Sequence, residues 1–120
     1  MARPDPRSLR HLPASLLLPW LLAGLGLPAS AAEDAQMLRR RELFTDKAAP
    51  PCEVCHTLAA AGSEGQVGPV LDDLKPDAAR VRRVLQGGMG VMPSYAGKLD
   101  AADMDALAQF VARSASTVKP

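Results

Sequence analysis

Apolar positions along the chain change rhythm several times. From Leu12 to Leu27 they run nearly unbroken and uncharged, behind Arg3, Arg7 and Arg10 and ahead of Ala29-Ser30-Ala31. A basic stretch, a short apolar stretch and a small-residue end are the three parts of a cleavable export signal. The run is short for a membrane-spanning anchor, the competing assignment, and Pro19, Gly24 and Gly26 interrupt it. The pattern predicts a secretory signal peptide over residues 1–31, cut after Ala31 or Ala32, and one folded domain over 32–120. No twin arginine precedes the apolar run, so export of an unfolded chain to the periplasm is expected.

Beyond this segment the spacing becomes helical. Glu33 to Phe44 forms a weakly periodic first helix, with Met37 and Phe44 seven apart. Its Arg39-Arg40-Arg41 run fits a solvated face better than a binding patch. Ala48-Ala49-Pro50-Pro51 is an extended approach to the two cysteines. Ala60 to Asp73, with three glycines and a proline, fits a loop. A second helix is expected with Pro76 at its first position and Asp77 at its positive end. Ala78, Val81, Leu85 and Gly88 share one face, and Gly87-Gly88 terminates it. The last helix starts at Asp100 as N-cap, with Leu99 and Met104 placed for a hydrophobic staple. Met104, Leu107, Ala108 and Val111 form its buried stripe, with Phe110 beside it. No period-two strand is visible, so the fold class is all-α.

Composition narrows the options. The chain of 120 residues is 48% hydrophobic but only 3% aromatic, and its formal charge is +1. Loss of residues 1–31 removes three arginines and one aspartate and turns that charge to −1. Neither value supports a nucleic-acid arm. The domain then has Phe44, Tyr95 and Phe110 as its only Phe, Tyr or Trp side chains. So little bulk points to a staple, metal or cofactor at its centre. Two cysteines and two histidines are too few for a four-ligand zinc site or a disulfide framework.

Chemistry concentrates at Cys52-Glu53-Val54-Cys55-His56, a C-x-x-C-H sequence and the signature of covalent c-type haem attachment. Thiols three residues apart lie one helical turn apart and reach two vinyl groups on one porphyrin edge. His56 is then carried beneath the iron. A thioredoxin-like dithiol would need a βαβ context that is absent. Haem of this kind is attached outside the cytoplasm, in keeping with the export signal.

With His56 the one histidine of residues 32–120, a second axial ligand must be of another type. Met37 and Met104 lie on helices, where packing accounts for them. Met89 and Met92 lie in the Gly-rich loop Gly87 to Pro93. Met92 is favoured over Met89 because Pro93 stiffens the chain beside it.

These features together resemble a small monohaem class I cytochrome c: Leu43-Phe44 closing a first helix, the haem motif at 52–56, Gly68-Pro69, Met92-Pro93, and Phe110-Val111 in a final helix. The resemblance implies three to five helices wrapped around one covalent haem. It also implies Met92 as distal ligand and the Pro69 carbonyl as hydrogen-bond acceptor for the His56 ring. The family's early-helix glycine is missing between Glu33 and Phe44.

An iron closed by His56 and Met92 has no open position for substrate. The expected function is a periplasmic one-electron carrier, without catalytic residues, that meets redox protein partners transiently as a monomer. Ala48, Ala49, Val91 and Pro93 are candidates for an apolar rim at the exposed haem edge. Residues 68–80 and 90–93 also resemble small cytochromes found with sulfite-oxidising molybdenum enzymes, which implies a tightly bound subunit as the alternative. A haem-based sensor or peroxidase-like protein is a third reading, and it requires an iron that opens.

Overall fold

The computed structural model describes residue 26 and residues 28–117, so the apolar run from Leu12 to Leu27, apart from Gly26, lies outside the described residues. Helix α1, Ala29–Glu42, is polar on most of its surface and buries no residue. Its Ala-Ser-Ala-Ala start offers no stop signal, which is why it begins ahead of the expected Glu33. A π-helical turn, Leu43–Lys47, comes next and places Phe44 in the interior. Phe44 meets Phe110 with ring centroids 6.0 Å apart and planes tilted by 59°. That tilted aromatic pair joins the two ends of the domain without the missing glycine.

Arg41 is more than part of a solvated face. Its Nε and Nη2 donate to the Ala61 carbonyl at 3.3 and 3.1 Å, tying α1 to the segment after the cysteine motif. That segment also departs from a plain loop. Strand β1, Thr57–Leu58, pairs antiparallel with β2, Ser63–Glu64, in the register Thr57 with Glu64 and Leu58 with Ser63. Gly62 closes the hairpin at φ +68°, a conformation that favours glycine. Two-residue strands are too short to register as alternation.

A short helix α2, Leu71–Leu74, lies at the end of the expected loop. Asp72 is buried there, and its Oδ2 accepts from the Ala59 N–H at 2.8 Å. Helix α3, Ala78–Gly87, begins two residues after Pro76. Asp77 is the N-cap, its Oδ1 accepting from the Arg80 N–H at 2.7 Å, and this cap rather than Pro76 fixes the start. Gly88, at φ +72°, ends the helix.

Helix α4, Ala101–Thr117, is the organising element. Asp100 Oδ1 caps it through the Asp103 N–H at 2.7 Å. Leu99 and Met104 are both buried, as a staple requires. The periodic stripe faces inward throughout: Met104, Leu107, Ala108, Phe110 and Val111 are buried. Helix α3 packs across α4, and Arg82 pairs with Asp105 at the edge of that contact. The molecule is mostly helical, as the sequence implies, with helices enclosing a space bordered by the cysteine motif. Among the described residues, no helix is long and apolar enough to cross a membrane.

Candidate functional site

Cys52–Val54 form one turn of 3-10 helix immediately after Pro51. The Cys52 carbonyl accepts from the Cys55 and His56 N–H groups at 3.1 and 3.0 Å, so the motif is wound tightly by its own backbone. Two glycines press on that turn. A Cβ at Gly65 would stand 2.5 Å from the Glu53 carbonyl oxygen, and one at Gly68 would press into the His56 ring, 2.7 Å from Nδ1. The Gly68 N–H donates to the Cys55 carbonyl at 2.7 Å, and the Thr57 hydroxyl donates to the Gly65 carbonyl at 3.0 Å. The motif is thereby clamped from its C-terminal side by backbone that only glycine allows so close.

His56 is buried, and its Nδ1 lies 2.9 Å from the Pro69 carbonyl oxygen. A carbonyl only accepts, so Nδ1 carries the proton and donates. Nε2 then keeps its lone pair for a ligand, the arrangement metal-binding histidines use.

Both free cysteines and His56 border one cavity of about 520 Å³. Its other walls include Phe44, Pro50 and Pro51, residues 67–69, α2 and α3, the loop after α3, and Leu107 and Val111 of α4. That size suits a bound cofactor. Met89 and Met92 both reach the cavity. They pair through their backbones, Met89 N–H to Met92 carbonyl at 3.0 Å and the reverse at 2.9 Å, around Gly90 at φ +57°. The two side chains differ in setting. Met92 is half-buried and packs on the core, whereas Met89 is 62% exposed. Met37 and Met104 do not border the cavity; Met104 belongs to the core.

The loop carrying Met92 is braced at both ends. Its Ser94 hydroxyl donates to the Gln86 carbonyl at 2.5 Å, and the Tyr95 N–H donates to the Leu85 carbonyl at 2.8 Å, satisfying the open end of α3. A Cβ at Gly88 would come within 2.8 Å of the Met92 carbonyl oxygen, so this glycine permits the loop to fold back. Tyr95 is itself buried and donates its hydroxyl to the Pro50 carbonyl at 2.6 Å. One ring thus connects the methionine loop to the approach of the cysteine motif.

Electrostatically the floor of the cavity is quiet. Burial pushes the Cys52 thiol up to about 11. Burial, and then the neighbouring thiols, push the Tyr95 hydroxyl up to about 12. Both stay uncharged at neutral pH. The expected apolar rim needs one correction: Ala48 is buried in the core, because the π-helical turn rolls it inward. Val91 is the most open of the four at 86% exposure, Ala49 is exposed and Pro93 half-buried.

Sequence reasoning missed Gly65, Asp72 and Arg41. Gly65 matters through a close approach that no local pattern announces. Asp72 and Arg41 bond to backbone atoms thirteen and twenty positions away.

Comparison with known proteins places this geometry among others. Residues 35–111 match the family described as cytochrome c oxidase, cbb3-type, subunit III. The crystal structure of the c-type cytochrome SorU from Sinorhizobium meliloti is similar, with a TM-score of 0.65 and 39% sequence identity. The match covers 72% of this chain and 99% of that one.

Proposed function

Because the chain belongs to the family of c-type cytochrome domains described as cytochrome c oxidase, cbb3-type, subunit III, we propose that it is a one-electron carrier with a His/Met-ligated haem, working in the periplasm. A c-type cytochrome carries haem covalently, and electron transfer rather than catalysis is its task. In this chain Cys52 and Cys55 would hold the group as thioethers, and His56 and Met92 would ligate its iron. The observation that carries the assignment is the convergence of these four side chains on one apolar cavity, with Nδ1 of His56 already committed to Pro69.

Haem supplies an iron centre that cycles between Fe(II) and Fe(III). The protein's residues set how readily. The Met92 thioether favours the ferrous state, and the hydrogen bond to Pro69 strengthens His56 as a donor. The apolar walls exclude water and disfavour the form with the greater charge, which also raises the potential. An iron held by both His56 and Met92 would leave no site for substrate. Val91 and Pro93, which border the cavity, form the rim at which a redox protein partner docks, through a small and transient contact.

Residues 1–31 direct export in this reading. None of α1's residues is buried, so a cut after Ala31 or Ala32 inside its first turns takes no buried residue of that helix. The resemblance of residues 68–80 to cytochromes that accompany sulfite-oxidising molybdenum enzymes supports an oxidoreductase as the electron donor. The test is carbon monoxide added to the reduced native protein. A carrier closed by His56 and Met92 keeps its spectrum unchanged. A rapid shift to a carbon monoxide adduct would instead identify an opening iron and a sensor or peroxidase-like role.

A further inference from the structure

We infer that Asp72 is a positioning residue for the hydrogen bond between His56 and Pro69, a role that rests on the haem reading above. Segments 55–59 and 68–72 lie side by side, joined by three hydrogen bonds. The Gly68 N–H donates to the Cys55 carbonyl at 2.7 Å, Nδ1 of His56 to the Pro69 carbonyl at 2.9 Å, and the Ala59 N–H to Oδ2 of Asp72 at 2.8 Å. Partners are thirteen residues apart in every case, so the two segments run in the same direction and in register. The His56–Pro69 contact is the middle rung, with one rung on either side of it. Asp72 does not border the cavity, so it acts on His56 only through the strand of chain that carries Pro69.

Asp72 is only 8% exposed, and among the described residues its Oδ1 has no hydrogen-bond partner. Burying a carboxylate costs free energy, and an unserved oxygen adds to that cost. Packing alone would favour an apolar side chain here, as at the buried Leu71 beside it. The bond to Ala59 is what calls for an acceptor at this position. Helix α2 needs such a tether. It is four residues long, and Val70 at its start supplies no side-chain cap. So short a helix has little stability of its own. Asp72 fastens it to the chain three residues past His56, while Pro69 sits two residues ahead of its first turn. Without that tether, hydrogen bonds hold the Pro69 carbonyl from the Gly68 side alone. A ligating histidine depends on its outer partner for ring orientation and donor strength, so a drifting carbonyl weakens both.

The experiment compares Asp72→Ala, Asp72→Asn and Asp73→Ala, each purified with haem attached. Asparagine keeps an acceptor for Ala59 without the charge, and Asp73 is an exposed acid on the same turn. The readouts are solvent exchange of the His56 Nδ1 proton, followed by NMR in the reduced protein, and the midpoint potential. Asp72→Ala is expected to exchange that proton about tenfold faster, the factor for one lost hydrogen bond. Its potential should also lie above that of Asp72→Asn, because a weaker histidine donor favours ferric iron less. Asp72→Asn and Asp73→Ala keep wild-type exchange. If Asp72→Ala yields too little folded protein, Asp72→Val takes its place, filling the same space without accepting a hydrogen bond. A lowered melting temperature with unchanged exchange in that variant would overturn the inference, leaving Asp72 a structural tether only. Equally fast exchange in Asp72→Asn would also overturn it, tracing the effect to charge. A wild-type protein that never acquires haem would defeat the haem reading itself, a result distinguishable from either.

Discussion

Met92→Ala is expected to lower the midpoint potential by on the order of 0.1 V or more, a fraction of the roughly 0.8 V that axial ligation spans. It should also let carbon monoxide bind to the reduced protein. The cause is local. Met92 is half-buried, packed on the core, and held by a loop fastened to α3 through Ser94 and Tyr95. Alanine keeps that loop but removes the soft sulfur that favours ferrous iron. Met89→Ala is the matched control, since Met89 shares the turn and the cavity yet is 62% exposed. Redox titration of the two variants decides between them. A fall in potential with Met89→Ala, and none with Met92→Ala, would exchange the ligand assignment.

Gly68→Ala should be damaging, like any side chain at Gly65, because both glycines press on the cysteine motif. Its new Cβ would press on Cε1 of His56 and lie 2.7 and 3.0 Å from Nδ1 and Nε2. Neither side has room to yield. The ring is held by Pro69 at 2.9 Å, and Gly68 is held by the Cys55 carbonyl at 2.7 Å. Overpacking of this kind costs about 1–3 kcal/mol. A domain of this size loses roughly 4–8 °C of melting temperature per kcal/mol. The ring must rotate or withdraw, so the bond from Nδ1 to Pro69 weakens and the visible spectrum and potential change with it. Gly87→Ala makes the comparison clean, because a Cβ there meets nothing within 4 Å. Thermal unfolding followed in the visible bands should show Gly87→Ala at or above wild type and Gly68→Ala well below it. Equal stability in the two would mean that the close packing on His56 carries no weight.

How much of the molecule is legible in its sequence depends on the range of each interaction. The cysteine motif and the capped last helix are written in consecutive residues, where spacing and local hydrogen bonds decide the outcome. Asp100 and the stripe from Met104 to Val111 appear where the pattern places them. The start of α3 slips past Pro76 because the Asp77 side chain, not the proline, captures the first free N–H. The segment from Ala60 to Asp73 shows only its glycines. Its hairpin is two residues deep, and α2 is one turn long, so neither repeats often enough to leave a period. Ala48 reads as a surface residue because its neighbours are small and its approach extended. The π-helical turn buries it, and nothing in Leu43–Lys47 announces that widening. At the site, the part of Pro69 comes from likeness to a family, and the 2.9 Å contact gives that expectation a geometry.

The most direct test of a covalent haem on Cys52 and Cys55 is the intact mass of the protein purified from cells that export it and attach haem. The predicted species starts at residue 32 or 33, is heavier than its polypeptide by one haem, and keeps that pigment through extraction with acidified organic solvent. A colourless chain at the bare polypeptide mass, or a pigment that the solvent removes, would contradict the account.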